Sequence, residues 1–212
     1  MTYSIHGLYA ITPDIADTDL LLAKVEAALQ GGVNMLQYRN KTANHKLQTQ
    51  QARAILPLCR QYNVPFIIND SVKLCLTLDA DGVHLGADDG NLAEVRARLG
   101  ASKILGASCY NRFDLALQAQ KSGASYVAFG ACFSSNTKPN APVAGLDLFT
   151  RAKTELAVPC VAIGGITLEN APSVILAGAG ADAIAVVDAL FNAADIVKTS
   201  QQFSQIFQAV KT

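Results

Sequence analysis

The residues that could do chemistry sit in polar segments that each follow a short apolar run. The first segment is Gln37-Tyr38-Arg39-Asn40-Lys41. Alternate residues of an extended segment point the same way, so Gln37, Arg39 and Lys41 share a face. An amide and two cations there suit a polyanion such as a diphosphate, because arginine offers a planar fork and lysine a mobile point charge. A solvated loop is the other reading. Ile68-Asn69-Asp70 and Gly86-Ala87-Asp88-Asp89-Gly90 follow the next two runs. They bring carboxylates to the same rim, and magnesium favours one or two carboxylates plus substrate phosphate oxygens and water. Asp88 or Asp89 could instead cap a helix starting near Asn91. Asp70 has no evident capping task.

Three further segments complete the set. In Gly106-Ala107-Ser108-Cys109-Tyr110, Ser108 suits either a substrate hydrogen bond or a plain turn. The stretch 130–145 is the longest irregular one and holds Ser134-Ser135-Asn136-Thr137-Lys138-Pro139. Long loops in compact domains tend to be functional, and hydroxyls beside a lysine suit phosphate, although a flexible tip reads the same way. Ile163-Gly164-Gly165-Ile166-Thr167 and Val186-Val187-Asp188-Ala189-Leu190 close two late runs. Glycine lets an anion approach backbone N–H groups at a helix start. The three histidines point elsewhere. His84 lies inside an apolar run as a satisfied core residue, and His6 and His45 look peripheral. No nucleophile triad or histidine acid–base pair is in reach.

These segments need a scaffold that gathers them at one end. Apolar runs at Leu8–Thr12, Met35–Tyr38, Phe66–Asn69, Gly82–Leu85, Ile104–Ser108, Tyr126–Phe129, Cys160–Ile163 and Ala183–Val187 read as strands buried on both faces. Helical patterns lie between them. Leu21, Val25, Ala28 and Leu29 fall on one face early in the chain, and Phe203, Ile206, Phe207 and Val210 do so at its end. This alternation predicts one (β/α)8 TIM barrel over residues 1–212, with an open doubly wound sheet as the alternative. Gly31-Gly32-Val33, Asp81-Gly82-Val83, Gly123-Ala124-Ser125 and Gly180-Ala181-Asp182 precede or open even-numbered strands. Their glycines are expected to take the left-handed conformation that ends a helix.

Bulk properties narrow the class. Seventeen basic residues balance seventeen acidic ones, so no basic run favours nucleic acid. No stretch reads as a membrane span or a signal peptide. Cys59, Cys75, Cys109, Cys132 and Cys160 are odd in number with no close pair, which predicts reduced, mostly buried thiols and a cytoplasmic protein. A homo-oligomer paired through helix faces is compatible with such a barrel.

Taken together the segments resemble the thiamine-phosphate synthase family, from Gly7-Leu8-Tyr9-Ala10-Ile11-Thr12 to the last helix. The matching pieces are Gln37-x-Arg39-x-Lys41, Ile68-Asn69-Asp70, Gly82-Val83-His84-Leu85-Gly86-x-x-Asp89, Gly106-x-Ser108, Thr137-Lys138, Ala162-Ile163-Gly164-Gly165-Ile166 and Ala185-Val186-Val187. The resemblance implies joining of 4-amino-5-hydroxymethyl-2-methylpyrimidine diphosphate to 4-methyl-5-hydroxyethylthiazole phosphate. It implies magnesium on Asp70 and Asp89. The pyrimidine diphosphate would lie on Gln37, Tyr38, Arg39, Asn40, Lys41, Asn69, Ser108 and Lys138, with Arg39, Lys41, Ser108 and Lys138 catalytic. The thiazole phosphate would lie on Ser135, Asn136, Thr137, Gly165, Val187 and Asp188. The family's displacement is dissociative and needs no protein nucleophile.

The chain departs from the family pattern at Ser134-Ser135, where Pro-Thr is common, and at Ala87-Asp88, where Gln-Glu is common. It also has Asp188 where relatives often have serine. A carboxylate would repel the phosphate, so Asp188 is expected to turn away or cap a helix. Two rivals remain. Thiazole tautomerases of the same fold carry histidine where this chain has Tyr110. A non-catalytic thiazole-phosphate-binding regulator would need neither Asp70 nor Asp89.

Overall fold

The computed structural model describes residues 4–87, 89–133, 145, 147–176 and 180–210. Eight strands form in chain order. They are β1 (Gly7–Ile11), β2 (Met35–Tyr38), β3 (Phe66–Asn69), β4 (Gly82–Leu85), β5 (Ile104–Tyr110), β6 (Tyr126–Phe129), β7 (Cys160–Ile163) and β8 (Ala183–Val186). Each pairs in parallel with the next, and β8 returns to β1 with Tyr9 opposite Ala185. The sheet is closed, so the fold is the (β/α)8 TIM barrel and not the open sheet. Five strands have the bounds expected from the apolar runs. β1 is shifted one residue earlier, β8 ends one earlier, and β5 runs two residues further, to Tyr110.

The helices between the strands are α1 (Thr18–Gln30), α2 (His45–Gln61), α3 (Val72–Leu78), α4 (Leu92–Leu99), α5 (Phe113–Lys121), α6 (Asp147–Glu155) and α7 (Ala171–Leu176). The short α8 (Asp188–Phe191) and the terminal α9 (Ile196–Val210) follow β8. α1 shows why the chain is helical there. The Asp17 side chain accepts from the N–H groups of Asp19 and Leu20, a cap worth about 1 kcal/mol. Leu21, Val25, Ala28 and Leu29, at helical spacing, are all buried. In α9, Phe203 is fully buried and Ile206 and Phe207 pack partly against the same layer.

Strand alternation splits the apolar side chains into two sets. Leu8, Ala10, Leu36, Ile68, Val83 and Ile184 point outward beneath the helices. Tyr9, Ile11, Met35, Ile67, Tyr126, Val161 and Ala185 fill the barrel interior. The glycine expectation is met only in part. Gly32 and Gly123 have φ of +90° and +85°. Before β4 the left-handed residue is Asp79 instead. Gly31 and Gly82 serve close packing. A Cβ on Gly31 would lie 2.3 Å from the Cβ of Ser200, and one on Gly82 would lie 2.3 Å from the Ile104 carbonyl oxygen.

Candidate functional site

A cavity of about 490 Å³ opens at the C-terminal ends of the strands. Its lining includes Gln37, Arg39, Lys41, Asn69, Asp70, Asp89 and Ser108, with Gly165, Val187 and Asp188. The described candidates from six strand ends therefore meet in one place. Lys138, Ser135, Asn136, Thr137 and the departures at Ser134 and Asp88 lie outside the described residues. A second hollow of about 800 Å³ lies at the opposite end, lined by His6, Gly31, Asn34 and Asp182. It holds no pair of facing carboxylates and none of the predicted site residues, so the strand-end cavity is the candidate.

Two residues expected at the site have other tasks. Tyr38 and Asn40 alternate with Gln37, Arg39 and Lys41, so their side chains point away from the cavity toward α2. The Tyr38 hydroxyl donates to Gln51 Oε1 at 2.8 Å. Asn40 Nδ2 donates to the Ile15 carbonyl at 2.8 Å and to Gln51 Oε1 at 3.0 Å. Both anchor the segment instead of lining the pocket. The segment after β1 supplies a second anchor, which no local pattern of residues marks. Thr12 Oγ1 both donates to the Arg39 carbonyl and accepts from the Arg39 N–H at 2.8 Å. Asp14 Oδ1 accepts from Arg39 Nη1 and from the Lys41 N–H, each at 2.9 Å. Asp14 thus fixes the fork of Arg39 and the backbone that carries Lys41.

Asp70 and Asp89 face each other across the ends of β3 and β4. Asp70 has φ of +60°, and its N–H donates to the His84 carbonyl at 2.9 Å. The following residue, Ser71, caps α3, which leaves the Asp70 carboxylate for the cavity. Asn91 caps α4. Asp89 is therefore no helix cap; its Oδ2 accepts from the Gly86 N–H at 2.7 Å. Burial and then the facing Asp89 carboxylate hold Asp70 above the ordinary carboxylate range, against the pull of Lys41. Lys41 Nζ lies 3.6 Å from Asp70 Oδ2. Two close carboxylates from neighbouring strands form a donor set that one divalent cation would relieve of repulsion, with phosphate and water oxygens completing its shell.

Deeper in the barrel, Ser108 Oγ lies 2.8 Å from His84 Nε2, and His84 Nδ1 lies 2.9 Å from the Tyr126 hydroxyl. Burial pushes the His84 imidazole down to about 4 and both Tyr9 and Tyr126 upward, so all three stay neutral near neutral pH. His84 is the satisfied interior residue its strand position suggested, and it also touches the cavity. Tyr9 and Tyr126 carry no local sequence signal beyond their place in apolar strands.

On the far side, Gly164 and Gly165 have φ of +101° and +65°. Asn170 Nδ2 donates to the Gly165 carbonyl at 2.9 Å and its Oδ1 accepts from the Thr167 N–H at 2.8 Å, which sets this turn. Val187, not Asp188, occupies the cap position of α8. Asp188 is the first residue of that helix and is among the lining residues of the cavity. A carboxylate in a first helical turn is favoured by the helix dipole.

Similarity to known proteins follows this geometry. The family profile described as "Thiamine monophosphate synthase" matches residues 8–190. The chain is 58% identical over 203 residues to a thiamine-phosphate synthase of Methylobacillus flagellatus, covering 96% of each chain. It is 51% identical over 205 residues to one from Aromatoleum aromaticum, covering 97% of this chain and 98% of that one. Among solved structures, thiamine phosphate pyrophosphorylase from Pyrococcus furiosus superposes with a TM-score of 0.86 at 32% identity, covering 97% of both chains.

Proposed function

The chain belongs to the thiamine monophosphate synthase family and is a transferase of thiamine biosynthesis, and on that premise we propose how its residues carry the reaction. It condenses 4-amino-5-hydroxymethyl-2-methylpyrimidine diphosphate with 4-methyl-5-hydroxyethylthiazole phosphate to give thiamine phosphate and diphosphate. The observation that carries this reading is the facing Asp70–Asp89 pair beside Lys41, in one cavity with Gln37 and Ser108. A tautomerase or a passive binder of thiazole phosphate would have no use for that pair.

Magnesium held by Asp70 and Asp89 would neutralise part of the charge on the departing diphosphate. Arg39, Lys41 and Asn69 line the same half of the cavity and take the diphosphate oxygens, and Lys138 joins them by family resemblance. Charge on those oxygens grows as the C–O bond breaks. The cations therefore favour the transition state over the bound substrate. Gln37 and Ser108 orient the pyrimidine, whose own amino group stabilises the methylene cation. Ile11, Val161, Ile163 and Ile166 wall the cavity with apolar surface, which keeps water from the cation until the thiazole nitrogen reaches it. No side chain has to accept a proton, in keeping with His84 being neutral and already bonded on both ring nitrogens.

The other half of the cavity takes the phosphate that stays on its substrate. Gly165, Val187 and Asp188 line it, with Ser135, Asn136 and Thr137 assigned there by resemblance. The Asp188 carboxylate would be directed off the phosphate, leaving backbone N–H groups as donors. The five free, buried cysteines support a cytoplasmic setting. Among the described residues no helix is long and apolar enough to cross a membrane.

Calorimetric titration of each substrate alone tests the division into two halves. The pyrimidine diphosphate is expected to bind with magnesium and to weaken sharply when a chelator is added. The thiazole phosphate is expected to bind alike in both conditions. Equal losses for the two would place the cation between them and overturn the division.

A further inference from the structure

A continuous line of side chains crosses the barrel interior, and the diphosphate chemistry makes no use of it. Gln37 Nε2 donates to the Tyr9 hydroxyl at 2.6 Å. The Tyr9 and Tyr126 hydroxyls are 2.8 Å apart. Tyr126 Oη is 2.9 Å from His84 Nδ1, and His84 Nε2 is 2.8 Å from Ser108 Oγ. The line joins the two residues assigned to the pyrimidine through three that are buried. The Tyr126 ring meets Tyr9 edge-on at 5.9 Å and stacks on His84 at 5.6 Å, so the hydroxyls have little room to swing. Gly106 accommodates the junction. A Cβ there would lie 2.2 Å from Tyr126 Cζ and 2.6 Å from His84 Nδ1. This gives the Gly106-x-Ser108 spacing a physical reason: the glycine makes room for the line and the serine ends it.

Proton counting then sets a direction. Each tyrosine has one proton to donate, and a neutral imidazole has one N–H and one acceptor nitrogen. Tyr9 accepts from Gln37, so its own proton goes to Tyr126. Tyr126 passes its proton to His84 Nδ1. His84 must then carry its proton on Nε2 and donate to Ser108 Oγ. The proton of Ser108 is left to point into the cavity, and Gln37 keeps its Oε1 and second N–H for partners on that side. Turning the Gln37 amide over reverses every step and leaves Ser108 as an acceptor. No intermediate setting exists without two protons, or none, in one hydrogen bond.

We propose that this relay is a specificity device, in which Tyr9, Tyr126 and His84 are positioning residues that couple its two ends, so that Gln37 with Nε2 toward Tyr9 goes with Ser108 as a donor to the cavity. That setting matches a ring with an exocyclic amine beside one ring nitrogen and a further ring nitrogen across from it. An oxo ring protonated on the neighbouring nitrogen needs the Gln37 amide turned over, and the line then makes Ser108 an acceptor facing the lone pair of the far ring nitrogen. Selectivity for amino over oxo pyrimidine thus depends on side chains other than the two that meet the ring's polar atoms; Tyr9 and His84 also line the cavity, and Tyr126 is fully buried. The ligand half of this inference rests on the pyrimidine reading of the cavity; the relay does not.

Ring nitrogen-15 NMR of the full chain without substrate tests the relay by itself. The sequence has three histidines, and His84→Gln identifies the signals of interest. The unaltered protein is expected to hold His84 as the neutral Nε2–H tautomer. Gln37→Glu, studied at a pH where the carbon-13 shift of the introduced carboxyl reports ionisation, puts an acceptor at the start of the line. Tyr9 must then donate to it, and His84 is expected to switch to the Nδ1–H tautomer. Adding Tyr9→Phe cuts the line and should abolish the switch. The Nδ1–H form in the unaltered protein, or no switch in Gln37→Glu, overturns the relay.

Steady-state kinetics then test the specificity half. Tyr126→Phe should raise KM for the pyrimidine diphosphate about tenfold, as expected for one lost buried hydrogen bond, and narrow its advantage over the oxo analogue. KM for the thiazole phosphate should be unchanged. Unaltered selectivity in Tyr126→Phe would reduce the line to a structural feature. If the enzyme made no product at all, the proposed function would fall while the tautomer result still stood.

Discussion

Asp70→Ala and Asp89→Ala are each expected to cut turnover on the order of a thousandfold, since in the proposed reaction each would remove half of the seat for a cation that would stabilise the departing diphosphate. Both proteins should stay folded. Ser71 and Asn91 cap the following helices, so neither aspartate is needed to start one. Asp70 even works against the fold when no cation is present. Its carboxyl is held above the ordinary range by burial and by Asp89, so ionisation is harder in the folded state than in the unfolded chain. The fold therefore loses stability as pH rises through that titration. Asp70→Asn, which also suits the φ of +60°, should unfold at a higher temperature than the unaltered protein in chelator at pH 7. Circular dichroism reads the fold and a magnesium titration of activity reads the seat. Near-normal turnover in both alanine variants would remove the carboxylate pair from the reaction.

Arg39→Ala should slow diphosphate release in a single turnover by on the order of a hundredfold, the effect of losing one donor set aimed at developing charge. The affinity for thiazole phosphate should not change, because Arg39 sits on the other half of the cavity. Arg39→Lys should recover little of the rate. Lysine keeps the charge but loses the fork that also reaches Asp14 at 2.9 Å. Asp14→Asn should cost much less than Arg39→Ala, because Asp14 acts only by holding Arg39 and the Lys41 backbone. A rapid-quench experiment separates release from binding. Equal single-turnover rates in Arg39→Ala and the unaltered protein would assign the arginine to binding alone.

The barrel was legible because each strand is a short apolar run between helices with their own caps and stripes. The rim residues were legible for the same reason: Gln37, Arg39 and Lys41 alternate, and Asn69, Asp70, Asp89 and Ser108 fall where strands end. Alternation also excludes Tyr38 and Asn40 from the cavity, since the spacing that turns Gln37 and Arg39 inward turns these two outward. Contacts that join distant strands left no local mark. The Tyr9 and Tyr126 hydroxyls meet across 117 positions. In sequence both rings look like ordinary core aromatics, and only closure of the barrel brings them together. Asp14 was hidden in the same way, because its partners Arg39 and Lys41 belong to the next strand's loop. Gly82 and Gly31 show a related limit. A glycine kept for close packing is spelled the same as one kept for a left-handed turn, and only the neighbouring atoms tell them apart.

The central claim is that the strand-end cavity joins the two phosphorylated rings with a divalent cation on Asp70 and Asp89. Mixing both substrates with the purified protein, with magnesium and then with excess chelator, measures it directly. Thiamine phosphate and diphosphate should appear in equal amounts with magnesium and stop with chelator. No product with magnesium, or equal product in chelator, would contradict it.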